Sequence, residues 1–348
     1  MSKSEGNFIM LDESVVGHRE IMMDGKAITV GWTTDATRLA LGCSGDGLED
    51  ANFSCEVADK SILRLCLEID FANAVIAETN LRTGDDLHFF DRVFNAQIDT
   101  CIENTKSAYD NMRYADVCKF GFFELLNYRD AYQNACKISD LSLHKTLVHR
   151  FLETFSIIMS PIVPHVCEKI WRDVLRKDGF LAKVGRWPVV SAGTDFALVR
   201  AAAYMNDTIR AARLKIIKSK IPATCVTLYV TNEYPEWKQK VLNFLAQQYD
   251  KASNSLPEKI LAQVRTFAAS DPMLKPLTQQ VMQASAYAKS RLEDEGAAAF
   301  ELTVPYDQEA VLLENIDYVK SSMCVTELKI EHVETEGALP GKPHIVAH

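Results

Sequence analysis

Apolar residues return at helical spacing through five successive runs between Asp59 and Lys177, and the connections between the runs are short. In the first, Ile62, Leu65, Cys66, Ile69, Ala72 and Val75 mark one face over 59–82, and Gly84 with the two aspartates after it marks the stop. Further runs read at 88–108, 112–138, 140–159 and 163–177. Leu143, Leu147, Phe151, Phe155 and Ile158 form the stripe of the fourth, which Ser160-Pro161 closes. Pro164 opens the next run at a first-turn position, where its missing N–H is no loss. Each stripe needs a neighbour to cover it. Short connections leave an antiparallel bundle as the arrangement that covers them all.

On either side the texture differs. Residues 1–58 read as irregular, punctuated by glycines at 6, 17, 25, 31, 42, 45 and 47. GRWPVVSAG at 185–193 is a loop, and a long helix follows from about 195 to 220 until Ile221-Pro222. ATCVTLYVT (223–231) and CVTELKIEHV (324–333) alternate like strands. Between them helices are expected near 236–250, 257–269, 274–292 and 307–319. The fold class is therefore mainly α, an antiparallel helical bundle followed by a small α/β domain. The divisions fall at 1–58, 59–192, 193–335 and 336–348, the last a linker or unfinished element.

Composition excludes several functions. A net charge of −9 over 348 residues is wrong for a protein that coats nucleic acid generally, though not for one with a local basic patch. Nine cysteines without C-x-x-C spacing suggest neither a zinc ribbon nor a disulfide framework, and point to a reducing intracellular compartment. No H-E-x-x-H occurs, so no protein-bound metal is expected. The most apolar run, FSIIMSPIVPHV at 155–166, is too short to span a bilayer and is broken by Pro161 and Pro164, so no membrane partner is expected.

The chemistry sits at the start, in MSKSEGN. A lysine between two hydroxyl residues, followed by glycine, makes a loop with one positive charge and several donors, suited to closing over a triphosphate. The string resembles the KMSKS signature loop of class I aminoacyl-tRNA synthetases, entered at its second residue. A fixed seven-residue string arises by chance at a given position on the order of once in a billion. WTTDATRLALGCSGDGLEDANFS (32–54) resembles the segment after that loop in leucyl-tRNA synthetases of the eukaryotic cytosolic and archaeal type. IIMSPIVPHVCEKIW (157–171) is similar to the proline-broken helix pair in the tRNA-binding bundle of the leucine, isoleucine, valine and methionine enzymes. AAAYMNDTIRAARLKIIKSK (201–220) and the α/β region look leucyl-type, and PGKP (340–343) is similar to the point where the eukaryotic enzymes continue into a last domain.

The resemblance implies leucine–tRNA ligase chemistry: ATP, leucine and tRNA give leucyl-tRNA, AMP and pyrophosphate. Lys3 would stabilise the transition state in which the leucine carboxylate attacks the α-phosphate, with Ser2 and Ser4 beside it on the ATP phosphates. Mg2+ would accompany the ATP. The leucine-acceptor tRNA would be the partner, and the compartment the cytoplasm. An H-x-G-H motif and a Gly-rich strand–turn–helix are absent from the sequence. The chain is therefore expected to be inactive alone in ATP–pyrophosphate exchange, with ATP and leucine bound by a nucleotide-binding half before Met1. A free-standing, non-catalytic tRNA-binding or interaction module remains the alternative, as does a portion of an isoleucyl, valyl or methionyl enzyme.

The basic run Arg210, Arg213, Lys215, Lys218 and Lys220 reads either as a tRNA backbone contact or as a solvated helix end. Arg38 and Asp46 read as structural, a salt bridge or a turn cap. Trp171, Trp187 and the aromatics of 119–132 read as bundle core rather than base-stacking platforms.

Overall fold

The computed structural model describes residues 11–12, 15–16, 19–23, 26–46, 53–190, 195–219, 224–251, 255–332 and 338–348. The chain divides into two compact units, Met1–Val199 and Arg200–His348.

The described part of the first unit begins with two short antiparallel strand pairs. β1 (Leu11–Asp12) pairs with β2 (Val15–Val16), and β3 (Arg19–Met23) with β4 (Lys26–Val30), Ile21 opposite Ile28. α1 (Thr34–Gly42) follows, its first turn capped by the Thr33 hydroxyl. The described residues of this region are thus more regular than its glycines suggest. Its strands are two to five residues long, too brief for alternation to stand out.

The bundle consists of α2 (Cys55–Ala77), α3 (Phe89–Asp110), α4 (Tyr114–Val117), α5 (Leu125–Ile138), α6 (Lys145–Met159) and α7 (Pro164–Lys169). α2 begins earlier than the spacing predicts, because Ser54 caps it, and ends at Ala77. A π-helical stretch, Cys118–Glu124, joins α4 to α5 without a break, and Ile170–Val174 extends α7 the same way. Gly121 sits in the first. A Cβ there would stand 2.9 Å from Met159 Sδ and 3.1 Å from Thr105 Cγ2, so glycine lets this helix approach α6 and α3. Phe94, Phe122, Phe151 and Phe155 fill the centre, with Ile98, Ile102, Leu125, Leu126, Leu152, Ile158 and Met159 around them. α8 (Leu181–Val184) closes the described part of the unit apart from the start of α9.

Two buried polar clusters run through this interior. Asp91, fully buried, accepts two hydrogen bonds from Arg82 at 2.8 and 2.9 Å, one from the Tyr132 hydroxyl at 2.5 Å and one from the His88 N–H at 2.9 Å. Arg82 also donates to the Ser142 carbonyl, so the α2–α3 and α5–α6 connections are pinned together. Burial would raise the Asp91 pKa, but the bonds from Arg82 and Tyr132 outweigh it and hold the carboxyl below its ordinary range. Glu68, equally buried, lies 3.0 Å from Arg129, whose guanidinium stacks 4.1 Å from the Phe71 ring centroid. There burial wins over the attraction of Arg129, and the Glu68 pKa is pushed up to about 7.

α9 (Phe196–Ser219) begins at the end of the first unit and continues into the second. The second unit is a three-stranded mixed sheet with a helical layer. β5 (Cys225–Val230) is central, parallel to β6 (Glu327–His332) and antiparallel to β7 (His344–Ala347). Within the tail at 336–348, expected as linker or unfinished element, His344–Ala347 forms a sheet strand. α10 (Glu236–Gln248), α11 (Ile260–Ser270), α12 (Thr278–Glu295), α13 (Gln308–Glu314) and α14 (Ile316–Met323) lie between β5 and β6. Val241, Leu245, Ile260, Val264, Leu274, Val281 and Phe300 form the core of the helical layer. The sequence predicts one helix over 307–319. The structure splits it at Asn315, whose side chain bonds back to the Val311 carbonyl.

Candidate nucleic-acid interface

Four side chains of residues 31–46 fasten this segment to the bundle. Buried Asp35 accepts from the Val166 N–H at 2.8 Å and from His165 Nδ1 at 2.8 Å, so it caps α7 from another element. Arg38 donates to the Pro161 and Ile162 carbonyls at 2.6 and 3.0 Å, just beyond the end of α6. Asp46 accepts from the Tyr114 and Ala115 N–H groups at 3.0 and 2.6 Å, capping the long helix that starts there. Trp32 adds a bond to Asp59. Arg38 and Asp46 are therefore structural. Ser2, Lys3 and Ser4, expected at the ATP phosphates, lie outside the described residues, as does Lys220.

The remaining members of the basic run share the second half of α9 but do not form one face. Arg210 pairs with Asp207 of its own helix at 2.9 Å, both exposed. Arg213 donates to the Ser322 carbonyl and Lys215 to the Ile345 carbonyl, which ties the helix to α14 and β7. Arg213 and Lys215 are two positions apart and so point to opposite sides of the helix. Lys218 is exposed and has no partner among the described residues. Leu214 and Ile217 are exposed beside them.

A denser cationic patch lies where the bundle ends. Arg172, Arg176, Lys177, Lys183 and Arg186 fall within fifteen residues that contain only Asp173 and Asp178 as acids. All but the half-buried Lys177 are exposed. Lys177 is held by Glu153 at 2.6 Å, while Arg172 lies 4.6 Å from the centroid of the Phe180 ring, which is itself 53% exposed. Gly179, at φ +77°, makes the turn that brings Phe180 forward. Cations interleaved with an exposed aromatic ring suit a phosphate backbone and an unstacked base. Sequence reasoning missed this patch because its cations are spread over a helix end, a turn and a short helix. A count of charge in WRDVLRKDGFLAKVGRW would have found it. Trp171 is buried and Trp187 half-buried, its ring edge-on to Tyr109, as expected of core aromatics. Among the described residues no three His, Cys, Asp or Glu side chains gather as a metal site, and no helix is long and apolar enough to cross a membrane.

Comparison with known proteins accords with this layout. Residues 91–227 match the anticodon-binding domain of tRNA ligases, and residues 230–305 match the family described as the RagD-binding domain of leucine–tRNA ligase. The chain is 30% identical to the cytoplasmic leucine–tRNA ligase of Pongo abelii over 99% of its own length and 29% of the relative's. It is 29% identical to that of Dictyostelium discoideum, over 95% of the chain and 30% of the relative. With the leucine–tRNA ligase of Aeropyrum pernix the identity is 26%, over 54% of the chain and 18% of the relative. The chain thus spans less than a third of the length of these relatives. On these matches, and on the helical bundle beneath them, the chain is similar over nearly its whole length to the part of leucyl-tRNA synthetases that carries the anticodon-binding bundle and the domain beyond it.

Proposed function

We propose that this chain is the tRNA-docking part of a cytoplasmic leucine–tRNA ligase, which joins leucine to its tRNA at the expense of ATP. The observation that carries this is the match of residues 91–227 to an anticodon-binding domain, on a closed bundle that ends in the Arg172–Arg186 patch. The patch and Lys218 contact the tRNA backbone, with Arg210 available once its exposed partner Asp207 gives way. Ser2, Lys3 and Ser4 serve the ATP phosphates, and Mg2+ arrives with the ATP. Leucine and adenine are recognised by residues outside these 348. The region matching the RagD-binding family offers a surface for a protein partner.

The test is binding of a labelled leucine-acceptor tRNA to the purified chain across a salt series. Affinity falls with salt, each phosphate contact contributing roughly 0.9 to the slope on a duplex segment. Replacing Arg172, Arg176 and Lys183 by alanine lowers both affinity and slope. Salt-independent binding, or full affinity in that variant, overturns the assignment of the surface. ATP–pyrophosphate exchange by the chain alone would overturn the division of labour.

A further inference from the structure

Two thiols from different elements meet where the 31–46 segment lies on the bundle. Cys43 ends α1 and is half-buried, with the exposed residues Ser44, Gly45 and Asp46 after it. Cys118 opens the π-helical stretch Cys118–Glu124 and is 1% exposed. A Cβ built on Gly42 would stand 3.0 Å from Cys118 Sγ, so this sulfur lies against the backbone of the residue next to Cys43. Cys43 packs against the apolar cluster that contains Cys118, and the two thiols hydrogen-bond. Asp46, just beyond Cys43, accepts from the N–H groups of Tyr114 and Ala115, just before Cys118, and so adds a second tether between the same two stretches of chain. The bond from the Cys118 thiol outweighs burial and holds the Cys43 pKa below the ordinary thiol range. That bond, burial and the nearby Asp46 carboxylate push the Cys118 pKa up. One thiol is thus readier to ionise and more open to solvent, and the other keeps its proton beside it.

Buried cysteines ordinarily pack as small apolar side chains, and Cys101, Cys136 and Cys167 do so in the same bundle. Cys43 and Cys118 differ from them, because they touch across two elements and one of them can be reached from solvent. We propose that Cys43 and Cys118 form a redox modification site, at which hydrogen peroxide converts the two thiols into a disulfide that reducing thiols reverse. The Cys43 thiolate attacks one peroxide oxygen. The O–O bond breaks as an S–O bond forms, and the departing hydroxide takes up the proton that Cys43 gave to solvent, leaving as water. The Cys118 sulfur then attacks the sulfur of the Cys43 sulfenic acid. An S–S bond forms as the S–O bond breaks, and the Cys118 proton leaves with that oxygen as a second water. Two thiols and one peroxide thus give one disulfide and two waters. The new bond ties α1 to the π-helical stretch, restricts the unfolded chain and stops the 31–46 segment from lifting off the bundle. The site goes beyond tRNA docking and does not depend on it.

The experiment uses the whole chain with its two exposed thiols replaced, Cys66→Ser and Cys324→Ser, so that reaction at the surface does not mask the pair. Hydrogen peroxide is added, remaining thiols are blocked with iodoacetamide, and unreduced tryptic peptides are read by mass spectrometry. The expected result is loss of two free thiols per chain, a linked pair of peptides carrying Cys43 and Cys118, and recovery of both thiols with dithiothreitol. Cys55 shares the tryptic peptide of Cys43, so two further variants separate them: Cys43→Ser should abolish the link and Cys55→Ser should keep it. In Cys118→Ala, dimedone should capture Cys43 as its sulfenic acid. Should that buried variant fail to fold, Cys43→Ser, at a half-buried helix end, carries the test. Oxidation should also raise the melting temperature of the parent and leave that of Cys43→Ser unchanged. The proposal is overturned if excess peroxide removes no thiols, if other cysteines join before this pair, or if dimedone captures Cys43 in the parent with no link forming. A link that survives in Cys43→Ser, or one that leaves the melting temperature where it was, overturns it too.

Discussion

At the scale of the residue, the structure contains charges and backbone angles whose effects can be measured singly. Glu68 holds its proton more tightly in the fold than in the unfolded chain, because burial outweighs Arg129. Its contribution to stability is therefore full below the ordinary carboxylate range and is lost as pH rises through about 7. Glutamine at this position keeps the shape but cannot ionise. Denaturant unfolding of Glu68→Gln across pH 5 to 8 should show a flatter profile than the parent, and an unchanged profile would show that Glu68 is ionised throughout. Asp91 works in the opposite sense. Its lowered pKa contributes stability above the ordinary carboxylate range that is lost as pH falls through the folded-state value. Met112 is 74% exposed and held at φ +54°, where a side chain is strained. Met112→Gly should raise the unfolding free energy by roughly 0.5–1 kcal/mol, read as a higher urea midpoint with the same slope.

At the scale of the element, the two proline-flanked helix ends and the π-helical stretch decide how the bundle closes. Asp35 caps α7 from another helix, so Asp35→Ala should cost about 1–2 kcal/mol. Because Asp35 is in α1, limited proteolysis should also cut the 31–46 segment faster in that variant. Gly121→Ala places a methyl group against Met159 and Thr105, and about 1–3 kcal/mol of destabilisation is expected. The bundle itself was legible because Leu147, Phe151, Phe155 and Ile158 repeat on one stripe, and all four are buried. Two of its features were not legible. The π-helical insertion leaves the pattern of 112–138 looking like one ordinary helix, since a single extra residue blurs a 3.6 period without erasing it. The inter-element caps of Asp35 and Asp46 span 130 and 68 residues, and no local signal marks them. The candidate interface was half legible. The α9 run was visible as a string of cations, but the acceptors of Arg213 and Lys215 on Ser322 and Ile345 come from another part of the chain.

At the scale of the whole molecule, a net charge of −9 repels nucleic acid in general, so the tRNA docking proposed above rests on local cations. Raising salt should thus weaken tRNA binding less steeply than for a uniformly basic protein. The sheet of the second unit carries a different consequence. The carbonyl of Thr224, at the mouth of β5, accepts from Thr326, 102 residues further along, and β7 comes later still. A ribosome adds such a length in roughly 5–20 s. Through that interval Val226, Leu228 and Val230, all buried in the finished fold, have no neighbouring strand to join. The module therefore emerges with its most apolar strand uncovered, and arrival of β6 and β7 ends a window in which that strand is open to a holdase or to another copy of itself.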